Sequence, residues 1–179
     1  AAGITDILIV TSQCKSSIED HFEALSREDL DAADPDSALF DRSHLRFYYT
    51  RQGVPRGLGD AIACGEHFVG RDHFVVALGD CLIIGPQDSG AVRRLIDAHI
   101  ATGADASILV QQVSLAATKR YGIIKPGPAL EGEAIQLADI VEKPGPRAAP
   151  SRYAVCARYV FSPTLFDYLH GLKPGYGAE

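Results

Sequence analysis

Apolar positions along the chain fall into two periods. Residues 4–11 (ITDILIVT) are a β-branched run of strand length. In residues 15–25 (KSSIEDHFEAL), Ile18, Phe22 and Leu25 recur at helical spacing behind the possible caps Ser16 and Ser17. Residues 26–43 are acidic and polar with few apolar anchors, so a surface excursion holding one short helix is expected there. Residues 44–52 (HLRFYYTRQ) place Leu45, Phe47 and Tyr49 on one side of a strand. Residues 57–68 read as a turn feeding a helix, and residues 73–78 (HFVVAL) as a buried strand that ends at Gly79 and Asp80. Asp88 is placed to cap a helix carried by Val92, Leu95, Ile96 and Ile100 and closed by Gly103, with a strand following over 106–113. Beyond it the pattern turns strand-rich. Extended segments are predicted over 121–125, 135–142 and 153–161, and Ser162 and Pro163 open a last helix with Leu165, Phe166 and Leu169 inward. Strands interleaved with helices predict an α/β fold with a mostly parallel sheet covered on both faces.

The 179 residues are the length of one ordinary domain, and one domain over 1–179 is expected, large enough to bury a core without disulfides or structural metals. Hydrophobic residues at 46% and charged residues at 22% match a globular chain rather than a disordered or fibrous one. A formal charge of −6 argues against a phosphate-backbone binder, so no nucleic-acid partner is expected. Cys14, Cys64, Cys81 and Cys156 are scattered with no CxxC pair, which suits a reducing cytosol better than a zinc site or disulfide framework. Cys64 and Cys156 sit among apolar neighbours and read as core thiols. No apolar run is long enough to cross a bilayer, so no membrane partner is expected, and the first residues lack a basic leader with a cleavage signal. Removal of an initiator before Ala1 would account for the absence of methionine, while a start just before a strand and the turn-like GYGAE ending suggest a truncated chain.

Three places carry candidate chemistry. In open α/β sheets the ligand site lies beyond the carboxyl ends of the parallel strands, which puts Asp80 first. Leaving the strand HFVVAL, its carboxylate could hold Mg²⁺ against substrate phosphates, a hard donor for a hard cation; the plainer reading is a strand-ending Gly-Asp turn. RQGVPRGLGDA over 51–61 has glycines at 53, 57 and 59 between a strand and a helix, where backbone amides can approach a base or phosphate. It is neither a P-loop nor a dinucleotide fingerprint, and as spacing alone it equals an ordinary helix-entry turn. VEKPGPRAAPS over 141–151 sets Glu142 beside Lys143 before Pro144. Neighbours on a strand point to opposite faces, so a joint role requires a bend, which the proline favours. A carboxylate suits sugar hydroxyls and an ammonium suits a phosphate; otherwise the pair is solvated surface. The six histidines show no metal-ligand spacing, and nothing argues for a covalent nucleophile.

ITDILIVT, KSSIEDHF, RQGVPRGLGDA, FVVALGD, RYGII, VEKPGPRAAPS, RYVFSPTLFD and PGYGAE occur in one order across nearly the whole chain. Together they resemble the bacterial UTP–glucose-1-phosphate uridylyltransferases, members of the nucleotidyltransferase family. The resemblance implies a Rossmann-like, mixed, mostly parallel sheet flanked by helices, here incomplete. It implies that Gln52 and Gly57 read the uracil, that Asp80 binds a catalytic Mg²⁺, and that Gly122 contacts the glucosyl unit. Glu142 would accept hydrogen bonds from sugar hydroxyls, and Lys143 would touch the phosphate on the sugar. The implied partners are UTP, glucose 1-phosphate and UDP-glucose, with a homo-oligomer expected in the cytoplasm.

The family's glycine-rich loop, its first strand, a second metal-binding aspartate and its C-terminal helices are not among these residues. Within the matched part Asp60 stands where a histidine is common, Cys81 where a second acid is common, Arg152 where an asparagine is usual and Ala178 where a glycine is expected. A glucose-1-phosphate thymidylyltransferase, a non-catalytic nucleotide-sugar-binding homologue and a fragment without independent function stay open beside the leading reading.

Overall fold

A computed structural model of the protein describes residues 2–12, 17–20, 22, 44–84, 90–129 and 134–171. The excursion over 26–43, most of the helix expected over 15–25, Asp88, Cys14 and PGYGAE lie outside the described residues. The chain divides into two compact units, 3–72 with 163–179, and 73–162 with the first two residues.

In the first unit, β1 (Asp6–Thr11) and β2 (Arg46–Arg51) pair in parallel, residue for residue from Asp6 opposite Arg46 to Thr11 opposite Arg51. β-Branched and aromatic side chains fit this pleated surface, and Phe47 stacks on Phe22 with ring centroids 5.1 Å apart. Arg46 closes the near end of the ladder, with its Nε and Nη2 donating to Asp6 at 2.7 Å. The helix expected over 57–68 is two short pieces, α1 (Leu58–Ala63) and α2 (Glu66–Val69). The break is at Gly65, whose N–H turns to the Ile62 carbonyl three residues back at 2.9 Å, and helices yield readily at glycine. Against α1 lies α5 (Leu165–Gly171), where Leu169 approaches Gly59 and Phe166 is buried.

In the second unit β7 (Tyr153–Phe161) is the spine of a five-stranded sheet. β4 (Ala106–Gln112) pairs along one edge of it; β3 (Phe74–Ala77) and β5 (Gly122–Ala129) take successive stretches of the other. β6 (Ile135–Glu142) pairs outside β5. α3 (Ala91–Thr102) begins at Gly90 and ends, as expected, at Gly103, whose φ of 59° is the left-handed cap that glycine adopts without strain. A 3₁₀ helix (Leu115–Arg120) and a single turn α4 (Gly145–Ala148) complete the unit. Ile123, Ile124, Ala154, Val160 and Leu95 form its core.

The α/β class and the mixed pairing stand; the expected parallel majority does not. Among the described residues β1–β2 is the parallel pair, and every pairing in the five-stranded sheet is antiparallel. Parallel neighbours need a crossover of a dozen or more residues, usually helical. The connection from β6 to β7 holds a single helical turn, and β5 and β6 are joined by a short link.

β7 is irregular at its middle. Ile108 lies opposite Tyr159 while Val110 lies opposite Val155, so β7 carries two residues more than β4 over this stretch, a bulge. Ala157 in it has φ 50°. A side chain in that left-handed region costs roughly 1–2 kcal/mol relative to the right-handed one.

Candidate functional site

The predicted nucleotide residues sit together in the first unit. Gln52 extends the parallel ladder by one step, its N–H donating to the Thr11 carbonyl at 2.8 Å, and it is only 8% exposed. Its Nε2 donates to Asp60 Oδ2 at 2.5 Å and to the Gly57 carbonyl at 3.4 Å. Gly57, at φ 104°, makes the turn into α1 in a conformation that a side chain would strain. Asp60 is held from its other oxygen by Arg56, one helical turn earlier, with Nε 3.1 Å away. Behind this strand end the buried Thr11 hydroxyl donates to Glu19 at 3.0 Å, and Arg51 pairs with the same carboxylate. Arg51 first, then Thr11, hold the Glu19 carboxyl below its ordinary range.

The predicted sugar and phosphate residues converge in the second unit. Gly122 on β5 lies directly opposite Glu142 on β6, so both face one side of the sheet. A Cβ on Gly122 would stand 3.2 Å from Glu142 Oε2, so the glycine keeps the space that the carboxylate uses. Lys143 has φ 44°, uncommon for a residue with a side chain, and its N–H donates to the Tyr121 carbonyl at 3.2 Å. That bend brings Lys143 Nζ to 3.1 Å from Glu142 Oε1, with both side chains exposed. The expected bend before Pro144 is therefore present, and it is carried by the lysine's own backbone.

Asp80 is exposed in the turn that ends β3. Among the described residues its carboxylate has no hydrogen-bond or ion-pair partner, and they contain no cluster of three or more His, Cys, Asp or Glu side chains placed to hold a metal. Mg²⁺ keeps most of its water and binds through one or two carboxylates together with substrate phosphates. A single open carboxylate fits that mode and does not fit a preformed all-protein cage.

One residue of the second unit that carried no role in the sequence reading holds this turn. Arg158, next to the bulge, donates through Nη1 to the carbonyls of Leu78 (3.0 Å) and Ala157 (2.9 Å) and through Nη2 to that of Cys81 (2.6 Å). The guanidinium fork thus grips both sides of Gly79–Asp80. The Cys81 thiol adds a weak contact to the Cys156 carbonyl at 3.5 Å. Tyr159, one residue on, has its hydroxyl pushed above the ordinary range by burial first, then by Cys81, Glu142 and Cys156. Cys64 and Cys156, read as core thiols, are half-buried and free, and burial raises the Cys156 thiol. Arg158 stands inside RYVFSP, but its partners Leu78 and Cys81 lie 80 and 77 residues away along the chain; the i,i+4 spacing of Arg56 and Asp60 is a local signal, whereas the bond from Gln52 to Asp60 has none.

The described geometry has counterparts among known proteins. The chain is 40% identical to the UTP–glucose-1-phosphate uridylyltransferase of Bacillus subtilis over 189 residues, and 38% identical to that of Staphylococcus epidermidis over 184 residues. Each alignment covers 99% of this chain and 62% of the relative, so the chain spans somewhat less than two thirds of these proteins' length. A crystal structure of UDP-glucose pyrophosphorylase complexed with UDP-glucose superposes with a TM-score of 0.82 at 31% identity, covering 99% of this chain and 66% of that one. The model of the nucleotidyl transferase family matches residues 1–178. The chain belongs to the nucleotidyl transferase family.

Proposed function

We propose that this chain is the part of a uridylyltransferase that binds UTP and glucose 1-phosphate and joins them into UDP-glucose, releasing pyrophosphate. The observation that carries the reading is similarity over 99% of the chain to relatives bearing that name. The bend at Lys143 and the space at Gly122 agree with it.

A phosphate oxygen of glucose 1-phosphate attacks the α-phosphorus of UTP in line, that P–O bond forms, and the bond to the bridging oxygen breaks as pyrophosphate leaves. No covalent enzyme intermediate is needed. Lys143 supplies a positive charge to the sugar phosphate, Glu142 accepts hydrogen bonds from sugar hydroxyls, and Gln52 with Gly57 meets the base. Asp80 is the residue that would hold Mg²⁺, which when bound offsets phosphate charge. Rate enhancement then rests on positioning and charge, the terms that dominate such transfers.

The test is pyrophosphate release by the full-length protein with glucose 1-phosphate and either UTP or dTTP. Preferred turnover of UTP is expected. Preference for dTTP would move the chain to the thymidylyltransferases, and nucleotide-sugar binding without turnover would make it a non-catalytic homologue.

A further inference from the structure

Within the base-binding part of that reading, on which this inference rests, Asp60 has a place of its own. The orientation of a side-chain amide follows from its hydrogen-bonding neighbours, and here they decide it. The Asp60 carboxylate and the Gly57 carbonyl only accept hydrogen bonds, and both lie against one end of the Gln52 amide. That end must be the NH₂. Turning the amide over would set Oε1 against two oxygens.

Both amide protons are thereby taken, which leaves Oε1 as the group that Gln52 can offer. Among the described residues no buried side-chain oxygen or nitrogen lacks a partner, and Oε1 has none, so the 8% of Gln52 still exposed includes this atom. We infer that Asp60 is a positioning residue for base choice: it locks Gln52 so that an acceptor alone faces the nucleotide, selecting a base whose ring nitrogen carries a proton. Uracil and thymine donate from N3. Cytosine presents a bare N3, which would meet Oε1 lone pair to lone pair. Arg56 steadies the carboxylate from its other oxygen and takes no part in the choice.

The experiment is calorimetric binding of Mg²⁺-UTP and Mg²⁺-CTP to the full-length protein and to its Asp60→Asn and Arg56→Ala variants. Wild-type protein is expected to bind UTP about a hundredfold more tightly than CTP, since a site built to accept a proton rejects a ligand without one. Asp60→Asn, whose amide can donate to Oε1, lets Gln52 turn over, and the ratio should fall by about tenfold, the remaining preference coming from the Gly57 carbonyl. Arg56→Ala should keep the wild-type ratio. Equal losses for both nucleotides in Asp60→Asn, with the ratio intact, would overturn the inference and leave the proposed function standing; a wild-type protein that binds UTP and CTP alike would do the same without any variant. Wild-type protein that binds neither UTP nor dTTP would overturn both.

Discussion

Gln52 and the Glu142–Lys143 pair are placed by opposite means. Gln52 is buried, with its amide protons spent on Asp60 and Gly57 and its backbone tied to Thr11. Glu142 and Lys143 are open to solvent, and their meeting depends on a register position opposite Gly122 and a left-handed φ at Lys143. Side-chain bonds fix Gln52, because a buried amide has few alternatives once its protons are committed. Backbone geometry places the Glu142–Lys143 pair, because exposed ion pairs hold little by themselves.

The contrast can be broken by substitution. Lys143→Ala should lower kcat/KM for uridylyl transfer about a hundredfold or more, as loss of one charged donor at a reacting phosphate does. It should leave unfolding free energy within about 0.5 kcal/mol of wild type, as for an exposed side chain. A parallel collapse in stability would show that the lysine is part of the scaffold. Gln52→Leu is the reverse case: leaving Asp60 and the Gly57 carbonyl to face an isobutyl group should cost about 1–2 kcal/mol in urea denaturation, alongside weaker UTP binding. Unchanged stability would mean that the Gln52 bonds are replaced by water without loss.

The smallest effect concerns the carboxylate behind Gln52. Arg51 and Thr11 hold the Glu19 carboxyl below its ordinary value of 4.5 in the folded chain. The unfolded chain therefore takes up this proton first, so the contribution is present above about pH 4.5 and is lost as pH falls through the lower folded value. Urea midpoints followed from neutral pH to below pH 4 should fall, and less steeply in Glu19→Gln. Equal acid limbs would remove Glu19 from the support of this strand end.

Much of this was readable in the residues. Strand 153–161 and the strand over 135–142 appear with the bounds expected, since β-branched and aromatic runs between turn residues have one plausible use. Asp80 at a strand end and a bend at Lys143 were likewise visible. What stayed hidden were the long-range pairings. His99 is buried with Nε2 2.7 Å from His73 Nδ1 and Nδ1 3.0 Å from the Ser107 hydroxyl, and nothing in a helical stripe announces that. The antiparallel sheet was misjudged because buried strands of either direction show the same apolar runs. Asp60 could be counted only as an odd residue in a familiar place until the amide opposite it was located.

The excess length in β7 is even. Two extra residues leave Val155 and Tyr159 in phase, so each side of the strand keeps its assignment to core or surface across the interruption. A chain shortened by that pair could still close a continuous ladder, whereas removal of one residue would turn half the strand inside out. For the β4 ladder alone the detour is thus a removable stitch, and what it holds is Arg158, which lies opposite Ala77 of β3 and fastens the Asp80 turn. Engineers seeking a more rugged scaffold have a place to cut, and the cut would free the end of β3.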